Sequence, residues 1–279
     1  VRMMKGKTVV ITGATSGIGE VAALRLAEKG ARIVFVARDE ARAEATLAKL
    51  KAVSSAAHAY YVADLSSLAA MKHLATEIRS AEEHIDVLIN NAGAYFDTRQ
   101  TTVDGLERTF AINHMAYFVL TVGLFLCLKP GSRVVSTASD AHRMAKIDWD
   151  DLQSKKAYKG FTVYANSKLM NILFTRELAR KLEGSGVSAF CLHPGFVNSR
   201  FADNNKSGFA KFFQLLKKWI AISPEKGAET IVHLASAPGI EGQSGTYWSK
   251  CKPSTPTKPA QNDDDAKRLW EISERIAHG

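Results

Sequence analysis

The chain has 279 residues, 46% of them apolar and 23% charged, which excludes a disordered or fibrous protein and leaves room for an ample core. Its 37 basic and 28 acidic residues give a formal charge of +9, spread along the chain rather than gathered in a recognition motif. A nucleic-acid partner is therefore not expected, and the surplus suits an anionic cofactor, an anionic membrane face or plain solvated surface.

Cys127, Cys191 and Cys251 are odd in number and widely spaced, which argues for a reducing compartment and against a disulfide frame or zinc site. The longest nearly apolar run, 115–128, is shorter than the roughly 20 residues a membrane span needs. It reads as a buried helix. With no apolar leader ahead of the first strand-like run, a soluble cytoplasmic location is expected.

In chain order, short apolar runs at 8–12, 32–37, 59–62, 86–90, 133–137 and 187–192 predict strands buried on both faces, as in parallel sheets covered by helices. Between the first two, Ile18, Val21, Ala22 and Leu26 have helical spacing that ends at Gly30, a suitable C-cap. The pattern is that of a doubly wound α/β sheet. No repeat, long linker or composition break divides the chain, so one domain over 1–279 is expected. The one Pro/Thr/Lys-rich stretch, 252–259, is short and near the end.

Thr12-Gly13-Ala14-Thr15-Ser16-Gly17-Ile18-Gly19 follows the first strand. Its glycines allow a tight turn and a close approach of backbone to a pyrophosphate at the helix N-terminus; a plain βα connection is the other reading. Asn90-Asn91-Ala92-Gly93 closes the fourth strand. Tyr164 and Lys168, in Tyr164-Ala165-Asn166-Ser167-Lys168, share a helix face.

These motifs, with His193-Pro194-Gly195-Phe196-Val197, occur in an order and at intervals that resemble the short-chain dehydrogenases/reductases over nearly the whole chain. Ala37-Arg38-Asp39, Asn113-His114, Ser139-Asp140-Ala141-His142, 173–180 and 244–249 are most similar to the retinol-dehydrogenase-like group, akin to light-dependent protochlorophyllide reductases. The resemblance implies a Rossmann-type domain with about seven mainly parallel strands. It also implies carbonyl–alcohol interconversion with a nicotinamide cofactor.

By resemblance, Tyr164 is the general acid or base, Lys168 holds the nicotinamide ribose, Ser139 orients the substrate oxygen and Asn113 helps hold a water. Ser136 rivals Ser139 if the register shifts. A free tyrosine has a pKa of about 10, and a positive charge about 4 Å away is worth roughly 4 kcal/mol. Lys168 and an oxidised nicotinamide are expected to lower the Tyr164 pKa accordingly.

The resemblance places the cofactor on Gly13, Thr15, Ser16, Gly17, Ile18, Gly19, Asp64, Leu65, Asn91, Ala92, Gly93, Pro194, Gly195 and Val197, beside Tyr164 and Lys168. Asp64 is the adenine acceptor, or else caps the helix that follows. Arg38 after the second strand can pair a 2′-phosphate, which favours NADP(H); a shift of two residues gives Asp39 the acidic role of an NAD site instead.

Residues 196–223 correspond to a substrate lid in the family. There Phe209, Phe212, Phe213, Leu216, Trp219 and Ile220 share one helical face, with Lys211, Lys217 and Lys218 on the others. Such a face can cover a lipophilic substrate, rest on a membrane, join the core or join a homo-oligomer interface. His142, Phe196, Phe212 and Phe213 are the expected substrate contacts, and a bulky retinoid-, steroid- or xenobiotic-like compound is the expected substrate. No metal site is expected: His73 with Glu77 reads as a surface pair, and Asp263–Asp265 as favourable charge at a helix start. A catalytically silent NADP(H)-binding sensor is the alternative function.

Overall fold

The computed structural model describes residues 3–195 and 223–279. Eight strands form one sheet: β1 (Thr8–Thr12), β2 (Arg32–Ala37), β3 (Ala59–Val62), β4 (Val87–Asn90), β5 (Arg133–Thr137), β6 (Ser188–His193), β7 (Tyr247–Ser249) and β8 (Lys252–Ser254). Their order is β3-β2-β1-β4-β5-β6-β7-β8. All pairs are parallel except β7 with β8. The expected count of about seven falls one short. β8 lies in the Pro/Thr/Lys-rich stretch, where no strand is expected from the sequence, and Pro253 is tolerated there since β8 is the sheet's edge.

The main strands are buried on both sides, and alternate residues feed two cores. Val9, Ile11, Ile33 and Phe35 pack toward α1 (Gly17–Glu28), α2 (Glu40–Val53) and the later helix Pro224–Ser236. Val10, Val34, Val36 and Leu88 pack toward α3 (Leu68–Ala81), α5 (Ala116–Gly123), α6 (Gly160–Lys181) and the last helix. A single turn, α4 (Arg108–Phe110), precedes α5; Pro224–Ser236 is α7 and Asp263–His278 is α8.

Helix ends follow their local chemistry. α1 closes as expected at Gly30, whose φ is +99°; Gly30 N–H donates to Ala27 O at 2.8 Å and Ala31 N–H to Leu26 O at 3.0 Å, a Schellman closure. Asn262 caps α8, whose first turn holds Asp263, Asp264 and Asp265. His73 and Glu77 form an exposed i,i+4 pair at 3.6 Å.

The run 115–128 is only partly the buried helix expected. α5 stops at Gly123, and the 3₁₀ turn Phe125–Cys127 leaves Leu126 71% exposed. Among the described residues no helix is long and apolar enough to cross a membrane, no cluster of ligating side chains could hold a metal ion, and the three cysteines form no disulfide.

Candidate active site

Strand order reverses direction between β1 and β4, and the crevice beyond that switch point is where open α/β sheets bind ligands. The turn from Gly13 into α1 lies there. Gly13 has φ +71°, and a Cβ on Gly19 would stand 2.2 Å from Gly13 O and 2.5 Å from Asn91 Nδ2. Both positions therefore require glycine. Ser16 starts α1 without a side-chain cap, and Thr15, Ser16, Gly17 and Ile18 are partly exposed around the helix N-terminus. A positive helix end with close-lying backbone fits a pyrophosphate. Gly19→Ala is expected to lower stability by about 1–3 kcal/mol through overpacking and to weaken nucleotide binding; a melting curve and a nucleotide titration equal to those of the parent chain would contradict this fit.

Asn91 ties the turn to the sheet. Its Nδ2 donates to Thr12 O at 3.1 Å and Gly13 O at 3.2 Å. The backbone N–H groups of Asn91 and Ala92 both donate to Thr12 Oγ1 at 3.0 Å, and Thr137 Oγ1 donates to Asn91 Oδ1 at 3.3 Å. The ends of β1, β4 and β5 are thus fixed to one another. Gly93 follows, exposed, and a Cβ there would lie 3.5 Å from both Lys168 Nζ and Asn113 Oδ1.

α6 brings Tyr164 and Lys168 to this point, one turn apart. Lys168 is 3% exposed, donates from Nζ to Thr137 O at 3.1 Å, and lies 5.5 Å from the centre of the Tyr164 ring. Burial pushes the Tyr164 phenol up to about 12, against a hydrogen bond with Ser139 that favours the phenolate. Burial also drags the Lys168 ammonium down to about 7. In the protein alone, burial disfavours the charged form of each group; the expected acidification of Tyr164 counts on the positive charge of an oxidised nicotinamide as well as on Lys168.

Ser139 follows β5, is half-buried, and caps the 3₁₀ turn Asp140–Met144 by accepting from Ala141 N–H at 3.1 Å. Ser136 is fully buried inside β5, so the hydroxyl at the cleft is that of Ser139. Asn113 sits in the π-helical turn Ala111–Met115, a deformation frequent at functional sites. Its side chain accepts from Ala94 N–H at 2.7 Å and donates to Ala94 O and Ser167 Oγ, each at 3.0 Å. Rather than capping a helix, Asn113 stitches the segment after Gly93 to α6.

At the far end of the crevice, β2 stops at Ala37 and Arg38 is exposed. Asp39 caps α2, accepting from Arg42 N–H at 2.9 Å. Asp64 accepts at Oδ1 from Ser66 N–H at 2.9 Å and Ser66 Oγ at 2.8 Å, ahead of α3, which Ser67 caps. Burial would raise the Asp64 carboxyl, but these bonds and the charges of Arg108 and Arg38 hold it below the ordinary range. Leu65, Pro194 and Gly195 are partly exposed.

One expected substrate contact moves. His142 is 1% exposed, with Nδ1 2.7 Å from Ser139 O and Nε2 accepting from Thr257 N–H at 3.3 Å. Both ring nitrogens are committed to backbone, so His142 braces the turn after Ser139 instead of facing the cleft. Phe196, Val197, Phe212 and Phe213, with the rest of 196–222, lie outside the described residues.

Three residues of the site escaped the sequence reading. Thr137 O gathers Lys168 Nζ, Asn171 Nδ2 at 3.1 Å and Tyr117 OH at 3.5 Å. Asn171 stands three residues after Lys168, spacing that could have placed it on the same face. Tyr95 packs edge-on to Tyr164 with ring centres 6.1 Å apart, and it follows Gly93 by only two positions.

The family model for short chain dehydrogenases matches residues 7–208. Human retinol dehydrogenase 14 is 38% identical, over 98% of this chain and 86% of its own length; human retinol dehydrogenase 12 is 37% identical, over 97% and 86%. An uncharacterised protein from Mycobacterium Paratuberculosis superposes with a TM-score of 0.79 at 30% identity, covering 98% of this chain and 94% of that one. A short chain dehydrogenase from Burkholderia cenocepacia, solved in complex with NADP, gives 0.69 at 26% identity over 88% and 96%. With a glycine turn at the sheet's switch point and a tyrosine–lysine pair facing it, the chain belongs to the short-chain dehydrogenase/reductase family of oxidoreductases, among relatives that are retinol dehydrogenases.

Proposed function

We propose that the chain interconverts a carbonyl and an alcohol on a bulky lipophilic, retinoid-like substrate, with NADP(H) preferred over NAD(H). The observation that carries this reading is the convergence of Asn113 and Lys168 on Gly93, with Lys168 beside the Tyr164 ring and Tyr164 hydrogen-bonded to Ser139. When bound, the nicotinamide supplies or accepts the hydride. The Tyr164 hydroxyl gives its proton to the substrate oxygen in reduction and takes it back in oxidation. Ser139 orients that oxygen, and Lys168 sets the charge beside the phenol and reaches the ribose. Tyr95 offers an aromatic wall next to Tyr164, in keeping with an apolar substrate, as do relatives named for retinol.

The cofactor preference rests on Arg38, exposed at the end of β2, while Asp39 is spent on capping α2. A guanidinium–phosphate pair is worth about 1.5–3 kcal/mol. Arg38→Ala is accordingly expected to raise the KM for NADPH about 10- to 100-fold and to leave that for NADH unchanged. Steady-state kinetics with both cofactors, across a panel of retinoids, steroids and small ketones, test the reading. Equal loss for both cofactors would remove Arg38 as the selector, and activity confined to small polar ketones would remove the lipophilic substrate.

A further inference from the structure

Asp140 joins three parts of the protein just beyond Ser139. Its Oδ1 accepts from Tyr247 OH at 2.9 Å and from Arg143 Nε at 3.3 Å. Its backbone N–H donates to His193 Nδ1 at 3.2 Å, while His193 Nε2 stands 3.5 Å from Oδ2. With Nδ1 accepting, Nε2 carries the proton and directs it at the carboxylate. Tyr247 belongs to β7 and is buried, His193 ends β6, and the Asp140 side chain is 48% exposed. The turn is also pinned by His142, which bridges the backbone oxygen of Ser139 and Thr257 N–H, and by Arg143 to Thr255 O at 3.4 Å. Asp140, next in the chain to Ser139, is thus the residue whose side chain ties the turn to β7 and to the end of β6. Burial would raise its carboxyl, but His193, Tyr247 and Arg143 together hold it below the ordinary range, so it stays ionised at neutral pH.

We infer that Asp140 is a positioning residue: by fastening the turn to β7 and to the end of β6, it holds the Ser139 hydroxyl against Tyr164. This rests on the carbonyl–alcohol reading above. Reacting groups lose efficiency when displaced by a fraction of an ångström, and Ser139 stands on a short turn with no sheet bonds of its own beyond Ala138. The groups facing Tyr164 include Ser139, Lys168, Tyr95 and Tyr117; of these, Ser139 is the one that Asp140 governs.

Tyr247→Phe removes one hydroxyl and keeps the buried ring, and Asp140→Ala removes every side-chain bond of the pin, leaving only the backbone N–H bond to His193. Both are expected to lower kcat about tenfold while the KM for the cofactor stays unchanged. Because the Ser139 bond favours the phenolate, its loss should move the apparent pKa of alcohol oxidation upward by about half a unit or more. A kcat equal to the parent's, or a lower kcat on an unmoved pH profile, overturns the proposal. Hydrogen exchange in the Asp140–Met144 turn separates this from failure of the function itself. It should quicken in both variants without any substrate; unchanged exchange overturns the pin, whereas a parent chain that turns over no carbonyl overturns the function alone.

Discussion

Tyr164→Phe is expected to lower kcat by about 10²- to 10⁴-fold, the usual worth of a positioned acid or base, while nucleotide affinity stays within a factor of about two. The substitution removes a single oxygen. The ring remains edge-on to Tyr95, and Lys168 keeps its bond to Thr137 O, so the nucleotide cradle is untouched. Fluorescence titration with NADPH alongside steady-state kinetics separates the two effects. Matched loss of binding and turnover would mean that Tyr164 shapes the cleft instead of moving a proton, and undiminished turnover would remove it from the chemistry.

Lys168→Met is expected to lose activity to a similar degree and yet to make the protein more stable at pH 6–7. The folded state holds the Lys168 ammonium down at about 7, whereas an unfolded lysine titrates near 10.4. Between those values the unfolded chain binds more protons, so the stability of the parent rises with pH through the window and is reduced in full below it. The displaced proton equilibrium amounts to about 5 kcal/mol. Loss of the bond to Thr137 O returns about 1–3 kcal/mol, leaving a gain of about 2–4 kcal/mol. Thermal melts across pH 6–10 should show the variant several degrees higher at pH 6, with the difference closing as pH rises and reversing near pH 10, where only the lost bond remains. A variant less stable at every pH would mean that the ammonium is better solvated than its burial implies.

How much of this was legible in the sequence depends on which force fixes each feature. The first six strands and the closure of α1 at Gly30 follow from local apolar runs and one left-handed glycine, and the Tyr164–Lys168 pair follows from helical spacing. β8 was hidden because Pro253 breaks the pattern of a buried strand, and its edge position is what tolerates the proline. His142 was misplaced because its partners, Ser139 O and Thr257 N–H, include one far along the chain. The raised phenol and depressed ammonium depend on burial depth, which no local pattern encodes. Thr137 contributes through its carbonyl, a group that residue identity does not mark.

The most direct test of the central claim uses NADPH carrying deuterium at the transferable position of the nicotinamide, mixed with retinal and the panel of carbonyls. Mass spectrometry of the alcohol product should find the label on the carbinol carbon with the parent chain and near-background label with Tyr164→Phe. Unlabelled product throughout, or equal labelling by both proteins, would contradict hydride transfer assisted by the Tyr164 hydroxyl.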